Sequence, residues 1–195
     1  MPTTTLFLDT EFTALRQDAV LVSLALVAEA GESFYAEIAG LDTADCDPWV
    51  REHVLSHCQW LGHEGTSAPV WTTEEGLTSG FAAPDQVAEQ LRGWLARWPQ
   101  VEIWTDGGAW DWVLFCGLLG GALALPDNIF YLPLDLVTLL KLRGVDPDVD
   151  RLALAAQTSP AKQPLRRHHA LDDALVLMAC YRRLMKNAPE PMHGG

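Results

Sequence analysis

The chain has 195 residues, of which 49% are hydrophobic and 20% charged, and its net charge is −13. That composition suits a globular protein with one well-formed core, is marginal for two domains, and excludes a chain disordered through its bulk. No run of about 18 uninterrupted apolar residues occurs, so no membrane-spanning helix is expected.

Residues 6–12, Leu-Phe-Leu-Asp-Thr-Glu-Phe, predict a buried strand with carboxylates near its end. Residues 20–28 and 33–38 predict two more strands, and the tight turn at Gly31 between them suggests an antiparallel meander. Asp47-Pro48 opens a helix, with proline at its first position, that runs through Trp49, Val50, His53, Val54 and His57. Residues 62–80 have no clear period and read as a long loop or hairpin. A helix from Pro84 carries Val87, Leu91, Trp94, Leu95 and Trp98 at helical spacing and is ended by Pro99. A strand at 101–105, an apolar helix at 110–119 and a short strand at 128–132 come next. Helices are expected at 134–142, stopped by Gly144, at 149–156 and at 169–184, and a frayed tail from 187 to 195. The order predicts an α/β fold, a mixed sheet of a three-strand antiparallel meander plus parallel strands, with helices on both faces. One domain over 1–186 is expected.

Three places carry chemistry. Asp9 and Glu11 lie two apart on a strand, so both carboxylates leave an otherwise apolar strand on the same side. Two like charges that close raise each other's pKa, and a bound cation removes the penalty by taking carboxylate oxygens as ligands; two exposed acids at a strand end would explain them equally well. Asp111 comes after the strand at 101–105 and the Gly107-Gly108 turn, at the start of a helix whose dipole favours an acid there; Asp106 competes with it for the same role. In Arg166-Arg167-His168-His169-Ala170-Leu171-Asp172-Asp173, His168 precedes Asp173 by five residues, from a loop into a helix. An imidazole beside a metal-held carboxylate can take a proton from water, and a solvated helix start is the plain alternative.

Taken together, these segments resemble the three motifs of the DEDD exonuclease superfamily. Phe7-Leu8-Asp9-Thr10-Glu11-Phe12 is similar to the first, Gly108-Ala109-Trp110-Asp111 to the second, and His168-His169-Ala170-Leu171-Asp172-Asp173-Ala174 to the third in its histidine-containing (DEDDh) form. The resemblance spans 6–181. It implies an RNase H-like fold and a 3′–5′ exonuclease in which Asp9, Glu11, Asp111 and Asp173 hold two Mg2+ or Mn2+ ions while His168 accepts a proton from water. His169, at the position where a second subclass carries tyrosine, is the alternative base. The resemblance also implies that Thr10, Phe12 and Trp110 seat the terminal nucleotide, that Arg166 and Arg167 guide the strand, and that nucleoside 5′-monophosphates are released. The Asp9-Thr10-Glu11-Phe12 opening and residues 49–55 look most like the small bacterial exoribonuclease branch, which implies a single-stranded RNA 3′ end rather than DNA, and is compatible with a homodimer. The motif departs from the family at Gly107, where asparagine is frequent.

Net charge runs against this reading, because affinity for nucleic acid comes mainly from Lys and Arg. The charge is uneven, however: residues 141–186 hold nine basic and five acidic residues, and the remainder four basic and twenty-one acidic. A non-catalytic nucleic-acid-binding module and a phosphodiesterase for small nucleotides are the alternatives. His53, His57, Cys58 and His63, with Cys46, offer a rival zinc set, but their spacing fits no common zinc pattern. Trp94 and Trp98 are expected in the core, Trp110 and Trp112 near substrate, and Asp135 either at the site or capping a helix. The four cysteines have no regular spacing, and the N-terminus has no basic region leading into an apolar segment. Both favour reduced thiols, no signal peptide and a cytoplasmic setting.

Overall fold

Alternation along strand β1 (Thr4–Phe12) sends Leu6 and Leu8 to one face of the sheet and Phe7 to the other, each of them fully buried. Asp9 and Glu11 continue the Phe7 side. The neighbouring strands β2 (Leu21–Ala28) and β3 (Ser33–Ile38) are buried at every residue, as strands covered on both faces must be. The computed structural model describes residues 2–63, 65–156 and 165–186; the tail expected at 187–195 lies outside the described residues. Strands β1, β2 and β3 pair antiparallel in sequence order, which is the expected meander. The β1–β2 register shifts between Glu11 and Phe12, so Phe12 faces Leu21. Such an irregularity bends a strand and re-aims its side chains where the ladder ends.

The segment left open between loop and hairpin is a hairpin. Strand β4 (Val70–Glu74) returns through Glu75 and Gly76 into β5 (Leu77–Ala82). Both turn residues have positive φ, 49° and 88°, the conformation that suits the twist of a two-residue hairpin. Strand β5 then pairs parallel with β3, and β6 (Val101–Thr105) pairs parallel with β1. The strand expected at 128–132 is not there. Ile129 makes one isolated bridge to Val101, while Phe130, Tyr131 and Leu132 are exposed. The parallel partner of β6 is instead the two-residue β7 (Leu134–Asp135), inside the stretch expected to be helical. Asp135 ends the strand by capping the helix that begins at Leu136: its carboxylate accepts from the N–H and the hydroxyl of Thr138, at 2.8 and 2.7 Å. The result is a seven-stranded mixed sheet in the order β4-β5-β3-β2-β1-β6-β7.

Helices cover both faces. On the Leu6/Leu8 face lie α2 (Pro84–Leu95), through Val87, Leu91, Trp94 and Leu95, and α3 (Gly108–Leu118), through Phe115 and Cys116. Helix α2 stops at Leu95, a turn before the expected end, yet Trp98 still meets Trp94 edge-on at 4.6 Å. On the opposite face lie α1 (Pro48–His53), α4 (Leu136–Leu142), α5 (Arg151–Ala156) and α6 (Ala170–Lys186). The four cysteines are free and buried. No helix among the described residues is long and apolar enough to cross a membrane.

Gly80 on β5 sits opposite Trp71 on β4, and a Cβ there would overlap the indole. The Trp71 ring packs on the core beside Phe34, at 5.8 Å between centroids. Gly80→Ala is therefore expected to cost about 1–3 kcal/mol by overpacking, measured as a lower denaturation midpoint at unchanged slope. In a Trp71→Ala background the same change should cost much less, because the two residues share one contact.

Candidate active site

Three distant segments converge on one cleft of about 390 Å3, lined by Asp9, Glu11, Asp111, His168 and Asp173. The first two come from the end of β1. Thr10, pointing the other way, binds the third: its N–H and hydroxyl both donate to Asp111 Oδ1, at 3.2 and 2.7 Å. Asp111 stands in the first turn of α3, and the turn before it needs its two glycines. Gly107 has φ 86°, a left-handed conformation that glycine and asparagine adopt most readily. A Cβ on Gly108 would stand 2.5 Å from Thr105 Oγ1. The N–H of Gly107 also donates to Asp135 Oδ1 at 3.3 Å, so the Asp135 carboxylate ties this turn to α4 as well as capping that helix.

Asp173 comes from the first turn of α6, and its Oδ2 accepts the backbone N–H of His168 at 2.8 Å. That bond holds His168 at φ 60°, left-handed for a residue with a side chain, a conformation that costs on the order of 1–3 kcal/mol. The imidazole meets the Trp49 ring edge-on at 4.7 Å. Glu11, His168 and Asp173 offer ligand atoms that all lie within 4.8 Å of one another; Asp9 and Asp111 line the same cleft outside that inner group.

The carboxylates share one electrostatic condition. Asp9 is pushed well above the usual carboxylate range, first by burial and then by the charges of Asp111, Glu11 and Asp173. Glu11 is raised to about 8 by burial, then by Asp173 and Asp111. Burial raises Asp111 to about 7 against the opposing pull of the Thr10 hydrogen bonds. Burial likewise raises Asp173 to about 6, partly offset by the N–H of His168. Asp106 also lines the cleft but is matched: Arg151 donates to both its oxygens, at 2.7 and 3.1 Å. No Lys or Arg lines the cleft among the described residues. Crowded carboxylate oxygens with one imidazole and no matching cation form the kind of donor set that suits a hard divalent ion.

Of the other residues singled out, Thr10, Phe12 and Trp110 line the cleft, and the last two stack at 5.9 Å. Arg166 and Arg167 do not. Arg166 turns to Asp172, at 2.8 Å, and Arg167 to Asp150. Of the two histidines, His168 faces the cleft, whereas His169 is buried and stacks on Tyr35 at 4.9 Å. Trp112 is also redirected: it packs on the core against Phe115, since one step along a helix turns a side chain away from its neighbour's face. The rival zinc residues do not assemble. His53 stacks on Trp49, Cys46 and Cys58 are buried in one apolar cluster, and among the described residues the only close group of three metal-ligating side chains is Glu11, His168 and Asp173. Two residues of the cleft's surroundings escaped the sequence reading. Trp49 had one signal, a large aromatic beside the apolar Val50 of α1 and Val54 just after it. Arg151 had none, standing 45 residues from Asp106.

The fold is shared with a solved structure described as a full-length 3′-exonuclease, with a TM-score of 0.58 and 11% identity over 94% of this chain and 82% of that one. Residues 4–185 match the family model described as the 3′-5′ exoribonuclease Rv2179c-like domain, and the chain belongs to that family. Two relatives from Mycobacterium tuberculosis, the 3′-5′ exoribonuclease Rv2179c of strain H37Rv and its counterpart MT2234.1 of strain CDC 1551, are each 29% identical over 123 residues. That stretch is 63% of this chain and spans 66%, just under two thirds, of each relative.

Because Glu11, Asp111 and Asp173 are raised, these three groups bind more protons in the native state than in the unfolded chain between about pH 4 and about 8. Stability from these groups is full below their unfolded pKa and is lost as pH rises through the folded values. In EDTA the Tm should therefore fall as pH is raised through that window, and Glu11→Gln should flatten the fall. Mg2+ or Mn2+ should raise the Tm of the parent chain most at the alkaline end. Differential scanning fluorimetry checks this; a pH-independent gap between parent and variant would mean that the acids are not an unmatched cluster.

Proposed function

We propose that the chain is a metal-dependent 3′–5′ exoribonuclease of the DEDDh type on an RNase H-like fold, formed as one domain over residues 1–186. The observation that carries this reading is the meeting of Asp9, Glu11, Asp111, His168 and Asp173 in one cleft from three distant segments. The four acids would hold two Mg2+ or Mn2+ ions, which when bound supply Lewis-acid stabilisation of phosphoryl oxygens and a more acidic water. The protein's own groups do the rest. His168 is held below its ordinary pKa, first by burial and then by the charges of His53, Arg167 and His57, so it enters as a neutral base. It accepts one proton from the attacking water. The new P–O bond forms as the bond to the penultimate 3′ oxygen breaks, that oxygen takes up a proton, and a nucleoside 5′-monophosphate leaves. The stacked Phe12 and Trp110 give the terminal base an apolar wall. Thr10 keeps Asp111 aimed through two hydrogen bonds.

A second reading, preference for short oligonucleotides over long polymers, is favoured by the lack of Lys or Arg in the cleft lining among the described residues. Without cations along its walls the cleft has little means of tracking a backbone.

With 5′-labelled single-stranded RNA and Mn2+ or Mg2+, the chain should yield a ladder shortening from the 3′ end, abolished by EDTA. Asp9→Asn or Asp173→Asn should lower turnover by orders of magnitude, and His168→Ala by about 10²–10⁴-fold, each with an unaltered circular dichroism spectrum. Full activity in Asp9→Asn would sink the assignment. A dinucleotide, a pentanucleotide and a long RNA compared at matched 3′ ends decide the length preference through kcat/KM.

A further inference from the structure

The turn at 166–169 has two sides. His168 faces the acidic cleft, while Arg166 and His169 line a separate cavity of about 520 Å3. The two cavities have opposite chemistry. Six carboxylates line the cleft: Asp9, Glu11, Asp47, Asp106, Asp111 and Asp173. Among the described residues none lines the second cavity, which instead gathers Arg166 with His57, His63 and His169. The chain has 26 acidic residues against 13 Lys and Arg, so a cavity free of acids but rich in basic groups goes against its average.

The cavity's donors are free to bind. Arg166 gives Nε and Nη2 to Asp172, at 2.8 and 3.4 Å, and its Nη1 has no hydrogen bond among the described residues. The same holds for the ring nitrogens of His57, the hydroxyl of Ser56 and the side-chain amide of Gln59, all of which line the cavity. His63 is oriented by a contact between its Nε2 and the Cys58 carbonyl at 3.0 Å. Burial, and then the neighbouring charges of Arg166 and His169, hold the pKa of His57 down against the opposing charge of Asp172. The floor is rigid. Tyr35 stacks on His169 and donates to the buried Glu37 at 2.8 Å, and Glu37 also accepts the backbone N–H groups of Trp60 and Leu61 at 2.9 and 2.7 Å.

We propose that this cavity binds a phosphate group, with Arg166 as the charged partner and His57, His63, Ser56 and Gln59 as hydrogen-bonding partners. A guanidinium beside imidazole, hydroxyl and amide groups matches a tetrahedral oxyanion. The group can come from two sources: a phosphodiester of an RNA strand whose 3′ end occupies the cleft, or a free phosphomonoester such as a released nucleotide. The strand source rests on the exoribonuclease reading; the site itself does not.

The test uses the full chain in EDTA, so that no turnover occurs. Inorganic phosphate, AMP and a fluorescein-labelled pentaribonucleotide are titrated by calorimetry or fluorescence anisotropy. The comparison is between the parent, His57→Gln, the pair His57→Gln/His63→Gln, and Asp173→Asn, each checked for fold by circular dichroism. Arg166 is left alone because it also holds Asp172. At least one probe is expected to bind, about tenfold more weakly to the histidine pair and equally well to Asp173→Asn. Binding of AMP or phosphate identifies the free source, and binding of the pentanucleotide alone identifies the strand. No binding at millimolar probe, or a loss that tracks Asp173→Asn instead of the histidines, overturns the proposal. A chain that binds AMP in this cavity yet never cleaves RNA overturns the exoribonuclease reading alone.

Discussion

Carboxylates are crowded into one cleft without a matching cation among the described residues, and the neighbouring structure is arranged to hold them there. Burial and mutual repulsion both favour the protonated forms, and so the side chains left to themselves would move apart or take up protons. The fold opposes this with short hydrogen bonds from backbone and hydroxyl groups. Thr10 holds Asp111, and the N–H of His168 holds Asp173. The strand that delivers Asp9 and Glu11 is set between two others and buried through Leu6, Phe7 and Leu8, so it cannot relax to relieve the charge.

Two consecutive aspartates show how finely position decides chemistry. Successive residues of a helix point about 100° apart. Asp172 turns toward Arg166 and His169. Burial pulls its pKa up, but hydrogen bonds from His169 and Arg166 hold its carboxyl well below the usual range. Asp173 turns into the cleft, and burial holds it high. One turn of chain thus carries a structural ion pair on one side and a member of the acidic cluster on the other, and left-handed His168 is the joint between them.

Three arginines of the C-terminal part are held in the same way. Arg151, Arg166 and Arg167 each close on an aspartate: Asp106, Asp172 and Asp150. Charge summed along a sequence counts these arginines as a phosphate-binding stripe, whereas in space they brace the turns around the cleft. Under the proposed function, attraction for phosphate at the cleft falls to bound ions, whereas in the cavity behind His168 basic side chains gather without lining carboxylates among the described residues.

Periodicity by itself determined much of this protein. The alternation of β1, the meander, the helical spacing in α2 and α6, and the pairing of Asp9 with Glu11 all arise from local stereochemistry, which a linear chain carries with it. So did the candidate acids at 111 and 173, once their motifs were taken together. Tertiary structure decided what faces the cleft and what holds it there: His168 rather than His169, as the spacing to Asp173 had favoured, Trp110 rather than Trp112, and both Asp111, held by Thr10, and Asp106, matched by Arg151. It also placed the last parallel strand at 134–135 in place of 128–132, and turned Arg166 and Arg167 away. The physical reason is common to these cases. Each depends on partners far away in sequence, and hydrogen bonds and ion pairs act over a few ångströms of space, a distance that only the folded chain defines.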